Sequence, residues 1–127
     1  MKLILSLVII FLIGSCSPKE SKTDANFVLQ PEDFKVKLDA GARLIDVRTV
    51  EEYAAGHITG SLNMDINNPG FKDNVLMLDR SKEYAVYCAS GVRSGKAAEV
   101  MRESGFTSVY TLAGGVKTWT DKGLPLE

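Results

Sequence analysis

The residues best suited to chemistry lie together at positions 88–94, where the sequence reads CASGVRS. Cys88 is a candidate nucleophile, because a helix N-terminus or a nearby cation lowers the pKa of a thiol from about 8.5 to roughly 3.5–7.5. Gly91 lets the backbone curl, and a helix expected to open at Ser94 would direct N–H groups and its dipole at the sulfur. Arg93 would add a positive charge and paired donors for an anionic substrate. The spacing predicts an anion-binding loop around a cysteine thiolate.

Cys88 has a simpler alternative role, as a small buried apolar residue at the end of a strand. The spacing from Cys88 to Gly91, to Arg93 and to the expected helix start favours the role of nucleophile over that of a buried apolar residue. The chain has only one other cysteine, Cys16. If Cys16 is modified, no intramolecular disulfide is possible and Cys88 remains a free thiol.

The elements that must position this loop alternate between short apolar strands and amphipathic helices. Strands are expected at residues 27–29, 44–47, 61–64, 84–87 and 108–112. Helices are expected from Pro31 to Leu38, from a Thr49–Glu52 capping box to Gly56, irregularly over 70–78, over 94–104, and after Gly115. This order predicts an α/β fold with a mostly parallel sheet, in which Cys88 ends a central strand where ligands usually bind.

The N-terminus has the pattern of an export signal. Lys2 precedes an apolar run over residues 3–13 that is too short to span a bilayer, so residues 1–15 are predicted to be a signal peptide. Residues 13–16, IGSC, resemble the lipobox of bacterial lipoproteins, which implies lipidation at Cys16. The alternative is an ordinary signal peptide cleaved nearby. Either way we expect an exported protein, and with lipidation one anchored to a membrane of the bacterial cell envelope, on its periplasmic side or at the cell surface.

Composition sets the remaining limits. Residues 16–26 are polar and predict a linker after the lipidated cysteine, which leaves residues 27–127 as one domain. The chain has 15 basic and 16 acidic residues without a basic stripe, so nucleic acid is not an expected partner. With one histidine and one usable cysteine, no metal site is expected.

The sequence is similar to the rhodanese-like domains over about residues 27–125. The similarity rests on residues 88–94, on LIDVR at 44–48, on Glu52 and Tyr53 followed by GHITGS at 56–61, and on LAGG at 112–115 with Trp119. It implies a central parallel sheet with helices on both faces and a persulfide carried on Cys88.

The similarity also implies a reaction. Residues 88–93 form a six-residue loop, the length found in the sulfurtransferases, whereas the related dual-specificity phosphatases use one residue more. The expected enzyme moves a sulfane sulfur from thiosulfate or a persulfide to cyanide or a thiol, without a cofactor. The substrate-binding residues would be Ala89, Ser90, Gly91, Val92, Arg93 and Ser94. The alternatives are a phosphatase or arsenate-reductase-like enzyme on the same scaffold, and a non-catalytic anchored binding module.

Other polar residues are expected to be structural. Asp46 and Arg48, with Glu51 and Glu52, would form a buried polar network that braces the loop. His57 lies in a Gly-His-Ile turn and is expected to hold that turn rather than to act with the cysteine. Four apolar residues are expected in the core: Met64, Met77, Met101 and Trp119.

Overall fold

The computed structural model describes Gly14 and residues 27–127. The predicted signal peptide, the lipidation at Cys16 and the linker therefore fall outside the described residues, apart from Gly14. Among the helices of the described part, none is long and apolar enough to cross a membrane.

Strands and helices alternate along residues 27–127, as the sequence predicts. The elements are β1 (Val28–Leu29), α1 (Pro31–Asp39), β2 (Arg43–Asp46), α2 (Val50–Ala55), β3 (Leu62–Asn63), α3 (Phe71–Leu76), β4 (Tyr84–Tyr87), α4 (Val92–Glu103), β5 (Val109–Leu112) and α5 (Gly115–Asp121). The five strands form one sheet in the order β1-β5-β4-β2-β3, and every pairing is parallel. The expected α/β fold is confirmed.

Strand β4 lies in the middle of the sheet, and all four of its residues are buried. Successive side chains of a strand point to opposite faces. Tyr84 and Val86 accordingly belong to the apolar cluster that includes α3 and α4, whereas Ala85 and Tyr87 belong to the cluster that includes α1 and α5. Helices therefore cover both faces of the sheet, and Cys88 follows β4 on the side of α3 and α4.

The structure corrects two local expectations. Helix α4 begins at Val92 instead of Ser94, because Gly91 adopts a φ of +102° and ends the loop as the residue before the helix. Met77 is 86% exposed and is not part of the core, because α3 ends at Leu76 and the apolar periodicity ends with it. Met101 and Trp119 are buried as expected, and Met64 packs against the core while partly buried.

Candidate active site

The sulfur of Cys88 lies inside the curl of its own loop, and the residue has 0% relative exposure. The backbone N–H of Gly91 donates to Cys88 Sγ at 3.0 Å. The hydroxyl of Ser94, which is also buried, lies 3.4 Å from Sγ. A thiol donates to this hydroxyl oxygen, and a thiolate can accept from the same group once the hydroxyl rotates. The loop thus offers the sulfur two short polar contacts in an otherwise apolar setting.

These contacts decide the charge of the thiol. Burial raises the pKa of Cys88, but hydrogen bonds from the Ser94 side chain and from the backbone N–H groups of Ser94, Gly91 and Ser90 outweigh it. The net effect lowers the pKa of Cys88 below that of an ordinary thiol. The expected thiolate nucleophile is therefore consistent with the geometry.

The backbone of the loop is hydrogen-bonded to the first turn of α5. Val116 N–H donates to the carbonyl of Cys88 at 2.8 Å, and Lys117 N–H donates to the carbonyl of Ala89 at 3.3 Å. In a trans peptide the N–H points away from the carbonyl, so the Ser90 N–H faces away from α5. The start of α5 thus orients the Ser90 N–H, one of the donors that lower the pKa of Cys88.

Arg93 forms an ion pair that the sequence does not predict, and its part in substrate binding stays a prediction. Its guanidinium donates to both carboxylate oxygens of Glu52, at 2.7 Å and 3.0 Å, instead of presenting free donors to a substrate. Glu52 is held in turn by the capping box of α2, where it accepts from Thr49 N–H at 3.3 Å and its own N–H donates to Thr49 Oγ1 at 3.2 Å. The hydrogen bonds from Arg93, opposed by burial and helped by Thr49, lower the pKa of Glu52 to about 2. The pair is therefore ionised at neutral pH.

Asp46 and Arg48 form a buried polar network, and its role in bracing the loop stays a prediction. Arg48 Nε and Nη2 donate to the carboxylate of Asp46 at 2.8–3.1 Å, and Arg48 Nη2 also donates to the Gly56 carbonyl at 2.6 Å. Asn63 donates to the carbonyls of Asp46 and Arg48. These bonds join the ends of β2, α2 and β3. Glu52 instead pairs with Arg93, and Glu51 is exposed, so the network is smaller than predicted.

The chain matches the family model described as rhodanese-like domain over residues 30–122. It belongs to the rhodanese-like domain family. It is 38% identical to chloroplastic thiosulfate sulfurtransferase 16 of Arabidopsis thaliana, over 68% of this chain and 80% of that protein. It is 34% identical to a thiosulfate sulfurtransferase of Pseudomonas paraeruginosa, over 72% of this chain and 81% of that protein. An uncharacterized protein of Bacillus subtilis is 41% identical over 64% of this chain, which spans only 63% of that protein.

Solved structures agree with this assignment. A rhodanese-related protein of Thermoplasma volcanium superposes with a TM-score of 0.71 at 30% identity, covering 79% of this chain and 96% of that one. The human single-domain sulfurtransferase superposes with a TM-score of 0.65 at 27% identity, covering 76% of this chain and 96% of that one. The rhodanese-like fold therefore extends over the loop and the helices that surround it.

The sole histidine of this rhodanese-like domain has structural contacts. His57 Nδ1 lies 3.0 Å from the Tyr53 carbonyl, and the two rings stack with centroids 3.8 Å apart. Its Nε2 is 3.9 Å from the Glu127 carboxylate. His57 thus joins α2 to the C-terminal segment, which is a structural set of contacts.

The remaining loop residues differ in accessibility. Ser90 is exposed and Val92 is 65% exposed, whereas Ala89 and Gly91 are partly buried. Their part in substrate binding stays a prediction.

Sequence reasoning missed Glu52 as the partner of Arg93, because its position in a capping box already accounted for it. It also missed the close approach of Gly115 to the carbonyls of Cys88 and Ala89, for which the adjacent glycines 114 and 115 are the available signal.

Proposed function

We propose that this protein is a sulfurtransferase that carries sulfane sulfur as a persulfide on Cys88. The observation that carries the proposal is the placement of Cys88 Sγ among the N–H of Gly91 at 3.0 Å and the hydroxyl of Ser94 at 3.4 Å. The same N–H and hydroxyl groups can stabilise the negative charge on the outer sulfur of a Cys88 persulfide, which lies one bond beyond Sγ. Thiosulfate sulfurtransferases among the relatives support this chemistry.

In the first half-reaction the Cys88 thiolate attacks the outer sulfur of the donor. The new bond joins Sγ to that sulfur, and the S–S bond of the donor breaks with its electron pair on the leaving group. Thiosulfate releases sulfite, and an organic persulfide releases its thiolate. Charge is conserved, and the negative terminal sulfur of the Cys88 persulfide faces the loop donors.

In the second half-reaction an acceptor removes the outer sulfur. Cyanide would give thiocyanate and an acceptor thiolate would give a new persulfide, with the Cys88 thiolate restored in both cases. Since sulfur is transferred between nucleophiles, the cycle requires no external oxidant or reductant and no cofactor.

Steady-state kinetics test this two-step scheme. With thiosulfate and cyanide varied together, thiocyanate formation should give parallel double-reciprocal lines, because the first product leaves before the acceptor binds. Lines that intersect at every donor concentration would contradict a persulfide intermediate. The Cys88→Ser variant should show no activity above that of buffer.

The Arg93–Glu52 pair favours sulfur over phosphate chemistry. Both guanidinium contacts of Arg93 go to a carboxylate, so a tetrahedral oxyanion above Cys88 would lack the paired donors that it prefers. Hydrolysis of an aryl phosphate by this protein would support the phosphatase alternative instead. A Cys88 thiol that fails to react with a small alkylating reagent at neutral pH would support a non-catalytic binding module.

We further propose that the domain works outside the cytoplasm, anchored through lipid on Cys16. The IGSC motif after an apolar run supports this placement. Incorporation of labelled fatty acid into the full chain in bacterial cells tests it. Label should appear in the wild type and be absent from Cys16→Ser, and an unlabelled wild type would contradict the anchor.

A further inference from the structure

Arg93 is the only charged residue in the segment 88–94, and its charge is matched within the protein. Both of its terminal nitrogens bond the Glu52 carboxylate, and the two side chains are only 27% and 33% exposed. Thr49 holds Glu52 in this position from the other side. The loop cation is thus paired within the protein instead of being available to a ligand.

A second carboxylate acts on the same guanidinium without forming a salt bridge to it. Asp65 lies near enough to contribute, after Glu52 and Cys88, to the raised pKa of Arg93. Two other cations are also paired, Arg48 with Asp46 at 2.8 Å and Lys117 with Asp121 at 2.8 Å. Lys96, two residues after Ser94, is exposed and does not contribute to the pKa of Cys88. The donors that contact Cys88 Sγ, namely the Gly91 N–H and the Ser94 hydroxyl, are uncharged. Among these described groups, no unpaired positive charge faces the sulfur.

We propose that Glu52 determines donor specificity by neutralising Arg93, so that the site prefers sulfane donors carrying one negative charge or none at the reacting group over dianionic thiosulfate. This inference rests on the proposed sulfurtransferase function. The preferred class consists of thiosulfonates, in which a carbon substituent replaces the charged oxygen of thiosulfate, and organic persulfides, in which a thiol sulfur replaces its sulfonate group.

The proposal has a quantitative signature. Coulomb energy is proportional to the charge of the donor, so a change in potential at the site acts twice as strongly on a dianion as on a monoanion. Removing the charge of Glu52 also changes the thiolate fraction of Cys88, but that change is the same for every donor. The ratio of kcat/KM for two donors that differ by one charge therefore isolates the effect on the donor.

The experiment compares thiosulfate with methanethiosulfonate in the wild type and in Glu52→Gln, using the full chain. Attack on the outer sulfur of methanethiosulfonate releases methanesulfinate, so the chemistry is the same and one negative charge is removed. Glutamine loses the charge and keeps one acceptor oxygen, which can still accept from Thr49 and from Arg93 Nη1, whereas Arg93 Nη2 loses its acceptor. We expect kcat/KM to rise about tenfold for thiosulfate and about threefold for methanethiosulfonate at low ionic strength.

Glu51→Gln is the matched control, because it removes the same charge from an exposed neighbour in the first turn of α2. It should leave unchanged the donor ratio, that is, kcat/KM for thiosulfate divided by kcat/KM for methanethiosulfonate. If Glu52→Gln fails to fold, as judged by thermal unfolding, Asp65→Asn removes the second carboxylate that raises the pKa of Arg93. Its donor ratio should shift in the same direction by a smaller factor.

The outcomes separate the two proposals. A wild type that gains sulfur from both donors, with a ratio that shifts toward thiosulfate in Glu52→Gln and not in Glu51→Gln, supports the inference. Sulfur transfer with the same donor ratio in all folded variants overturns the role of Glu52 and leaves the sulfurtransferase function standing. A wild type that takes sulfur from neither donor overturns the proposed function itself.

Discussion

Gly115 packs directly against the backbone of Ala89. A Cβ at position 115 would overlap the carbonyl carbon and oxygen of Ala89 and lie 2.5 Å from the carbonyl oxygen of Cys88. Gly115 also adopts a φ of +65°, which side-chain-bearing residues rarely adopt. This close approach allows the N–H groups of α5 to bond the loop carbonyls, and so links the glycine to the hydrogen bonds around the sulfur.

Replacing Gly115 with alanine should disrupt the site. The loop must move to admit the methyl group, which we expect to cost more than about 3 kcal/mol of the free energy of unfolding and at least about tenfold in kcat/KM. Gly123→Ala is the control, because Gly123 has a φ of +75° with nothing within 4 Å of the added carbon, and it should cost only about 1 kcal/mol. Denaturant unfolding and sulfur-transfer rates measure both. Equal effects of the two variants would mean that the contact with Ala89 is unimportant.

The reactivity of Cys88 should depend on the hydroxyl of Ser94. Its hydrogen bond is the largest effect that lowers the pKa of the thiol, so Ser94→Ala should raise this pKa and reduce the thiolate fraction at neutral pH. The midpoint of the pH profile for alkylation by iodoacetamide should move upward. Ser90→Ala should leave the midpoint in place, because Ser90 acts through its backbone N–H. A Ser94→Ala profile that coincides with the wild type would contradict the assigned role.

The ion pair of Glu52 should make stability depend on pH in a defined window. Its pKa is lowered from 4.5 to about 2 in the folded state, so the pair stabilises the protein above about pH 4.5 and this contribution is lost as the pH falls through 2. Because a third of the side chain is exposed, we expect only about 1 kcal/mol. The difference in the free energy of unfolding between the wild type and Glu52→Gln should therefore shrink as the pH is lowered. A difference that is constant from pH 6 to about 2 would exclude this ionisation.

Much of this fold was predictable from local patterns. The strand over residues 84–87 was bounded correctly, because a buried strand of a parallel sheet is a continuous apolar run. The capping box at Thr49 was also found, since both of its hydrogen bonds are local. Met77 was misplaced because periodicity does not show where a short helix ends.

The site was predictable only in part, for a different physical reason. Cys88, Gly91 and Ser94 are close in sequence, so their spacing already indicated a loop around the sulfur. The partner of Arg93 is 41 residues away, and the pairing arises only when the fold brings the first turn of α2 to the first turn of α4. Long-range contacts of this kind leave no local pattern.

The buried pair of Asp46 and Arg48 should contribute far more to stability than an exposed pair. Asp46→Ala leaves the Arg48 charge in a buried place without its counter-charge, which we expect to cost about 3–5 kcal/mol. Asp39→Ala is the control, because the Lys35–Asp39 pair has the same 2.8 Å separation on the surface and should cost less than about 0.5 kcal/mol. Denaturant unfolding measures both. A loss for Asp46→Ala as small as that of the control would show that Arg48 finds another acceptor.

The central claim is that Cys88 carries the transferred sulfur. Intact-mass spectrometry of the protein after brief treatment with methanethiosulfonate or thiosulfate, followed by peptide mapping, tests it most directly. We predict a gain of one sulfur atom located on Cys88, lost on addition of cyanide and absent from Cys88→Ser. A wild type that gains no sulfur from either donor, or a gain that survives Cys88→Ser, would contradict the account.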